Sequence, residues 1–260
     1  MLGYLVLLVS AVFAGLLGGL LGIGGGIVIM PVLRFLFGIP TPFAAGTTAL
    51  AVFFTTLTGG YKHVRMGHVD IRSLLPLMAV GAVSTAFFSF LFMFFAERPL
   101  WLELGVGCVF LVISLRMILE GFFPSADRPR GSAGAIQSRG PAKVALGFVS
   151  GMLPGLFGIG TGAVLVPAFT YCLNSPIKVA IGSSLVCFSV NAFISSVIKI
   201  FQGFVLPDKA LFLCIGTAVG AWLGARLNRG FPSSLLKLLF GLAFFYIALK
   251  YIFLFLGKQL

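Results

Sequence analysis

The chain has 260 residues, of which 59% are hydrophobic and only 9% charged, and its mean hydropathy is +1.13. A soluble globular domain carries about a quarter charged residues, so this composition excludes one. The formal charge of +12 does not point to nucleic acid, because the Lys and Arg residues sit mostly between apolar segments, where positive loops hold to the cytoplasmic side.

Eight apolar segments follow in order, at about 2–33, 41–60, 73–96, 99–123, 143–173, 176–198, 208–227 and 233–256. The runs are continuous and do not alternate with polar residues, so they read as helices and not as barrel strands. Most are close to the ~20 residues that cross ~30 Å of hydrocarbon. The expected fold is an all-α polytopic membrane protein of two homologous repeats, an N-terminal one at 1–123 and a C-terminal one at 143–260. Between them lies a Pro-, Gly- and Ser-rich basic linker at 124–142, which reads as a flexible cytoplasmic connection.

The first segment is too long for one crossing. Residues 2–33 carry no charge and would extend roughly 48 Å as a single helix. The cluster Gly22, Gly24, Gly25, Gly26 removes helix propensity at one place, and Pro31 follows. The stretch from Gly15 to Pro31 then returns 136 residues later from Gly151 to Pro167. At the same offset Pro40 meets Pro176, Gly46 meets Gly182, Gly67 meets Gly203 and Val69 meets Val205, which marks a duplication. If each first segment crosses the membrane once, the halves are parallel with four crossings each. If it dips in and returns, each half has three crossings and the halves are inverted. Loop charges do not separate these schemes; the segment length and the glycine break favour the inverted one.

A broken helix in lipid has a use. Unwound backbone frees amides, and the start of the next half-helix carries partial positive charge, so two such breaks meeting at the midplane would hold a small anion. Gly24, Gly25 and Gly26 in the first copy, and Gly160, Thr161 and Gly162 in the second, are the candidate binding residues. Thr161 stands where the first copy has Gly25, and Pro154 where it has Gly18, so the copies are not equivalent. The next segment of each half brings a hydroxyl pair after the matched glycine, Thr47-Thr48 and Ser183-Ser184. Such hydroxyls serve a ligand or bond their own backbone. Ser184, Asn191, Ser195 and Lys199 share one face at spacings of four and seven, and their repeat mates are Thr48, Thr55, Gly59 and His63. A polar stripe present in both copies reads as the wall of a passage. Lys199 joins the candidate binding residues; His63, or else His68, is the titrating group available if protons couple transport.

Other patterns carry less. The small-residue ladder Gly216/Gly220/Gly224 reads as close helix packing. The four cysteines form no metal or redox spacing, so no metal and no cofactor is expected. The six acidic residues lie near segment ends or in loops, which disfavours a cation carrier. There is no ATP-binding loop and no catalytic acid, base or metal cluster, so an enzyme acting on lipid phosphate is the weaker alternative and an anion channel the nearer one. The partners expected from the residues are the bilayer and a small anion, and assembly into a homo-oligomer is left open.

The repeated glycine–proline pattern together with Gly46-Thr47-Thr48 and Gly182-Ser183-Ser184 resembles the sulfite exporter TauE/SafE family. The loop from Tyr61 to Asp70, ending Gly67-His-Val-Asp70, is similar to the loop of that family; the second copy, Val205-Leu-Pro-Asp208, lacks its Val-Asp pair. The resemblance spans both halves. It implies a multi-pass permease of the bacterial inner membrane, moving sulfur oxyanions such as sulfite, sulfonates or sulfoacetate.

Overall fold

The computed structural model describes residues 2–67, 69, 71–122, 140–172, 175–227 and 233–257. The linker at 124–139, His68 and Asp70 lie outside the described residues. All described regular structure is helical, and seven helices are long and apolar enough to cross a membrane. In chain order these elements are α1 (Leu2–Leu21), α2 (Gly26–Pro31), α3 (Thr41–Arg65), α4 (Ile71–Ala96), α5 (Pro99–Phe122), α6 (Gly140–Phe157), α7 (Gly162–Pro167), α8 (Ile177–Phe201), α9 (Pro207–Leu227) and α10 (Ser233–Gly257).

Both long first segments are broken at the glycines. The expected segment at 2–33 becomes α1 and α2, and that at 143–173 becomes α6 and α7. Each short helix ends at its proline and widens into a π-helical turn, Val32–Leu36 after Pro31 and Ala168–Cys172 after Pro167. A proline inside a helix lacks an amide and crowds the carbonyl four residues back, which favours a wider turn there. Pro40 and Pro176 then precede α3 and α8 with extended ψ near +141° and +144°, setting the start of the next helix in both copies.

The chain doubles back at the first break. A Cβ placed on Gly25 would lie 2.8 Å from the carbonyl oxygen of Ala14, two helical turns before the end of α1. The returning α2 and its π turn run toward the start of α5, where Arg34 pairs with Glu103. In the other copy α7 runs toward the end of α5, where Val166 and Pro167 share a cavity wall with Arg116 and Glu120. The two half-helices therefore point to opposite ends of the same long helix.

Most packing is between the halves, not within them. α1 lies along α9, α6 along α4, α5 against α10, and α3 against its mate α8. Lipid offers no hydrophobic drive for such contacts, so close backbone approach at small residues has to supply it. Gly220 and Gly224 sit against the backbone of Val12 and Leu16, as the ladder predicts. The repeat offset is visible here too. Gly15 sits on Thr217 and Gly151 on Gly81; Gly19 sits on Ala221 and Gly155 on Thr85. Each second pair is the first moved by 136 residues and exchanged between halves, as an approximate two-fold axis requires. On the lipid side, the Phe-rich run of α4 splits. Phe87, Phe90 and Phe94 are exposed, while Phe92 is buried and Phe88 packs on Phe148.

Candidate functional site

The two breaks meet. A Cβ on Gly162 would strike the carbonyl of Gly22, one on Gly160 would strike that of Ile23, and one on Gly26 would lie 3.0 Å from the amide nitrogen of Gly160. Only glycine allows two backbones this close. The surrounding wall comes from the middles of α3 and α8: Thr48 and Val52 beside Gly26, Phe188 beside Gly24 and Gly160, and Ser184 beside Gly22. The ring of Phe188 is fully buried, and a Cβ on Gly24 would fall 2.7 Å from it.

The copies differ in backbone as well as in sequence. Gly22, Gly24 and Gly25 have φ of +74°, +78° and +72°, a region costly for residues with a Cβ. In the second break only Gly158, at +64°, lies there, while Thr161 takes φ −86° and ψ −4°. The threonine is tolerated because its backbone has left the left-handed region that its mate Gly25 occupies. None of the N–H groups of Gly24, Gly25, Gly160 and Thr161 donates a backbone hydrogen bond within the described residues.

The hydroxyls divide into occupied and unoccupied. Thr47 accepts from the amide of Leu206 at 3.1 Å, and Ser184 donates to Ile181 at 2.9 Å and Gly22 at 3.3 Å. Thr48, Thr161 and Ser183 are fully buried, and their hydroxyl oxygens have no partner among the described residues. Thr48 and Thr161 flank the meeting of the breaks. A buried polar atom without a partner costs about 1–3 kcal/mol, so such a pair at one place calls for a reason.

Beyond Ser184, the polar stripe of α8 is buried and faces α6. Asn191 Nδ2 donates to the carbonyl and hydroxyl of Ser150, each at 3.1 Å, leaving Oδ1 without a partner. Ser195 donates to Pro154 O at 2.6 Å. Lys199 Nζ donates to Pro154 O at 3.2 Å, Gly155 O at 2.6 Å and Ser195 Oγ at 3.0 Å, and lies 4.5 Å from the centre of the Phe92 ring. Its charge is thus set on the last carbonyls of α6, immediately before the second break, where the helix dipole favours a cation. His63, its mate, is buried in the last turn of α3, beside the start of α8, with its Cβ 3.0 Å from where a Cβ on Gly182 would be.

Two charged groups were not singled out from the sequence. Glu103 is buried, and its Oε1 accepts from both Arg34 and Thr41, the latter at 3.0 Å. At the other end of α5, Arg116 and Lys237 both donate to Glu120, at 3.1 and 2.9 Å. Arg34 was legible in one respect: it is the first cation of the chain and directly follows an uncharged run.

Comparison with known proteins bears on the family of the chain. The profile of the sulfite exporter TauE/SafE family matches residues 7–251. A probable membrane transporter protein of Xylella fastidiosa (strain 9a5c) is 31% identical over 250 residues, 94% of each chain. The probable membrane transporter protein YunE of Bacillus subtilis (strain 168) is 28% identical, over 88% of this chain and 89% of its own. Sulfite exporter TauE/SafE family protein 6 of Arabidopsis thaliana is 44% identical over 59 residues, 23% of this chain and 14% of its own. No solved structure matches. A glycine-broken, duplicated bundle of membrane-length helices matched along nearly its whole length leaves one assignment: this chain is a multi-pass membrane protein belonging to the sulfite exporter TauE/SafE family of transporters.

Proposed function

We propose that the protein is a secondary carrier of small sulfur-containing anions, such as sulfite, sulfonates or sulfoacetate, in the bacterial inner membrane. The observation that carries this reading is the meeting of the two breaks. Amides of both copies that donate no backbone hydrogen bond among the described residues lie where the breaks meet, with Thr161 in the second break and Thr48 beside Gly26, both with unpartnered buried hydroxyls. Donors without acceptors suit an oxyanion, which accepts and does not donate.

Two features favour a carrier over a channel. The half-helices aim at opposite ends of α5, as inverted repeats would, and rocking one repeat against the other would then expose the site to alternate sides. Phe188 and Val52 are also packed together beside the breaks, an apolar plug that a carrier would need and an open channel would not. In this reading Lys199 is a positioning residue that holds the end of α6 where its break begins. Protons are the proposed coupling ion, with His63 as the titrating group.

The test is thermal-shift binding with sulfite, sulfoacetate, sulfate, phosphate and acetate, followed by flux in proteoliposomes. Saturable, counter-transported flux of a sulfur oxyanion is expected. Large unitary conductance in planar bilayers would assign a channel instead, and absence of binding by every sulfur oxyanion would remove the substrate class.

A further inference from the structure

A cavity of about 40 Å³ lies beside the second break. A water needs roughly 10–15 Å³ of such space, so it has room for a few waters or the head of one small anion. It reaches both copies, with Ile23 from the first break and Gly162 and Val166 from the second. The rest of its wall is apolar, from Leu21, Met117, Ala163 and Pro167, apart from three charged side chains, Arg116, Glu120 and Lys237.

These three side chains are between 20% and 35% exposed, so they stand in a mouth and not on open surface. Arg116 Nε donates to Glu120 Oε1 and Lys237 Nζ donates to Glu120 Oε2. Two cations share one carboxylate, which leaves one positive charge in excess. Among the described residues Arg116 uses only Nε on the carboxylate, so the fork of its two Nη groups remains for a second acceptor. The Arg116–Glu120 pair, at i,i+4 on one helix, is of a kind that contributes little to stability, so fold maintenance is a poor reason to place three charges among apolar helices.

The other copy does not repeat them. At the offset of 136, Arg116, Glu120 and Lys237 correspond to Ile252, Leu256 and Trp101. There Trp101 packs on Phe255, with ring centres 5.7 Å apart, and the Phe157 ring lies against Gly105. Duplication supplied the breaks in both copies, but this charged triad has no mate; the opposite end of α5 holds the Arg34–Glu103 pair instead. The mouth with the triad is at the end of α5 that leads into the basic linker.

We infer that Arg116 and Lys237 form the loading site for the anion at the linker-side mouth. Glu120 is their resident counter-ion, displaced when the oxyanion arrives and restored when it moves inward to the breaks. This rests on the carrier reading above. The occupant could be a free oxyanion or the phosphate of a lipid head, and the inference commits to the free anion.

The experiment uses the full chain in two settings. In maltoside micelles, thermal stabilisation is titrated with sulfite, with sulfoacetate and with short-chain phosphatidylglycerol. In proteoliposomes, radiolabelled sulfite and sulfoacetate uptake is followed for R116Q, K237Q, E120Q and the charge-keeping K237R. Each loss of a cation should raise the half-saturating concentration of the transported anion about tenfold, with maximal rate within about twofold. E120Q should lower that concentration, and K237R should stay close to wild type. Wild-type flux with unchanged half-saturation in both R116Q and K237Q overturns the loading site alone. Stabilisation by the lipid that needs Arg116 and Lys237, while stabilisation by sulfite and sulfoacetate does not, also overturns it. A wild type that neither binds nor moves sulfite or sulfoacetate removes the carrier reading for these anions, and this inference with it.

Discussion

At the scale of single residues, the buried hydroxyls separate a ligand site from a packing accident. Thr48→Val and Thr161→Val keep shape and delete a buried, unpartnered oxygen. Removing such a group is neutral or stabilising for the fold. If the oxygens meet an anion, each loss removes a charge-assisted hydrogen bond, and transport efficiency should fall roughly 10- to 100-fold while Tm holds or rises. Unchanged flux with raised Tm in both variants would return the pair to mere packing. Glu103 poses the opposite case. Glu103→Gln leaves Arg34 (17% exposed) without its carboxylate, and breaking a buried pair costs on the order of 3 kcal/mol. A clear fall in Tm is expected, read by fluorescence-detected size exclusion after heating. His63→Gln tests the coupling ion: flux driven by a pH gradient should lose its gradient dependence while exchange flux at equal pH persists. Gradient-driven flux matching wild type would remove His63 from that role.

At the scale of elements, the breaks are where sequence and structure agree most closely, and where the two copies part. Gly25 needs its left-handed backbone and Thr161 does not. Gly25→Thr should therefore abolish flux and reduce folded yield, whereas Thr161→Gly should leave the fold intact and impair transport only through its hydroxyl. Gly160→Leu has no space against the Ile23 carbonyl, and Gly24→Leu meets the Phe188 ring. Both should stop flux, and retained flux in either would show that the breaks do not form the route. The breaks were legible because Gly22, Gly24, Gly25 and Gly26 remove helix propensity at one place, and because the run was too long for one crossing. The direction of the polar stripe was not legible. Spacings of four and seven establish that Ser184, Asn191, Ser195 and Lys199 share a face of α8, but periodicity is silent on the neighbour across from it. That neighbour is largely α6, whose carbonyls at Pro154 and Gly155 accept from Ser195 and Lys199. The charged groups of α5 escaped for a related reason. Arg34 and Glu103 are 69 residues apart, and Lys237 and Glu120 are 117 apart. Near a segment end each reads as an ordinary interfacial charge until the partner helix is in place.

At the scale of the whole molecule, the doubling back at the first break bears on how the repeats are oriented. α1 runs parallel to α9, since Gly216, Gly220 and Gly224 meet Leu8, Val12 and Leu16 in ascending order. α6 runs parallel to α4 in the same way, with Gly147 on Leu77, Gly151 on Gly81 and Gly155 on Thr85. Take the first break as a dip that returns to its own side. Then α1 and α2 begin and end on one face, α3, α4 and α5 make three crossings, and the linker emerges on the face opposite the N-terminus. The parallel packing of both pairs holds under this scheme and under four crossings per half alike; the doubling back of Gly25 onto Ala14 is what favours the dip. Four crossings per half would instead place the N-terminus and the linker on the same face. Single cysteines at Leu2 and at Ser132, each in a background with Cys108, Cys172, Cys187 and Cys214 replaced, can be labelled in intact cells by an impermeant maleimide. Labelling of the first and protection of the second is the expected result. Equal accessibility of both would mean that each first segment crosses fully, and then the rocking of inverted halves about the meeting point of the breaks would have no structural basis.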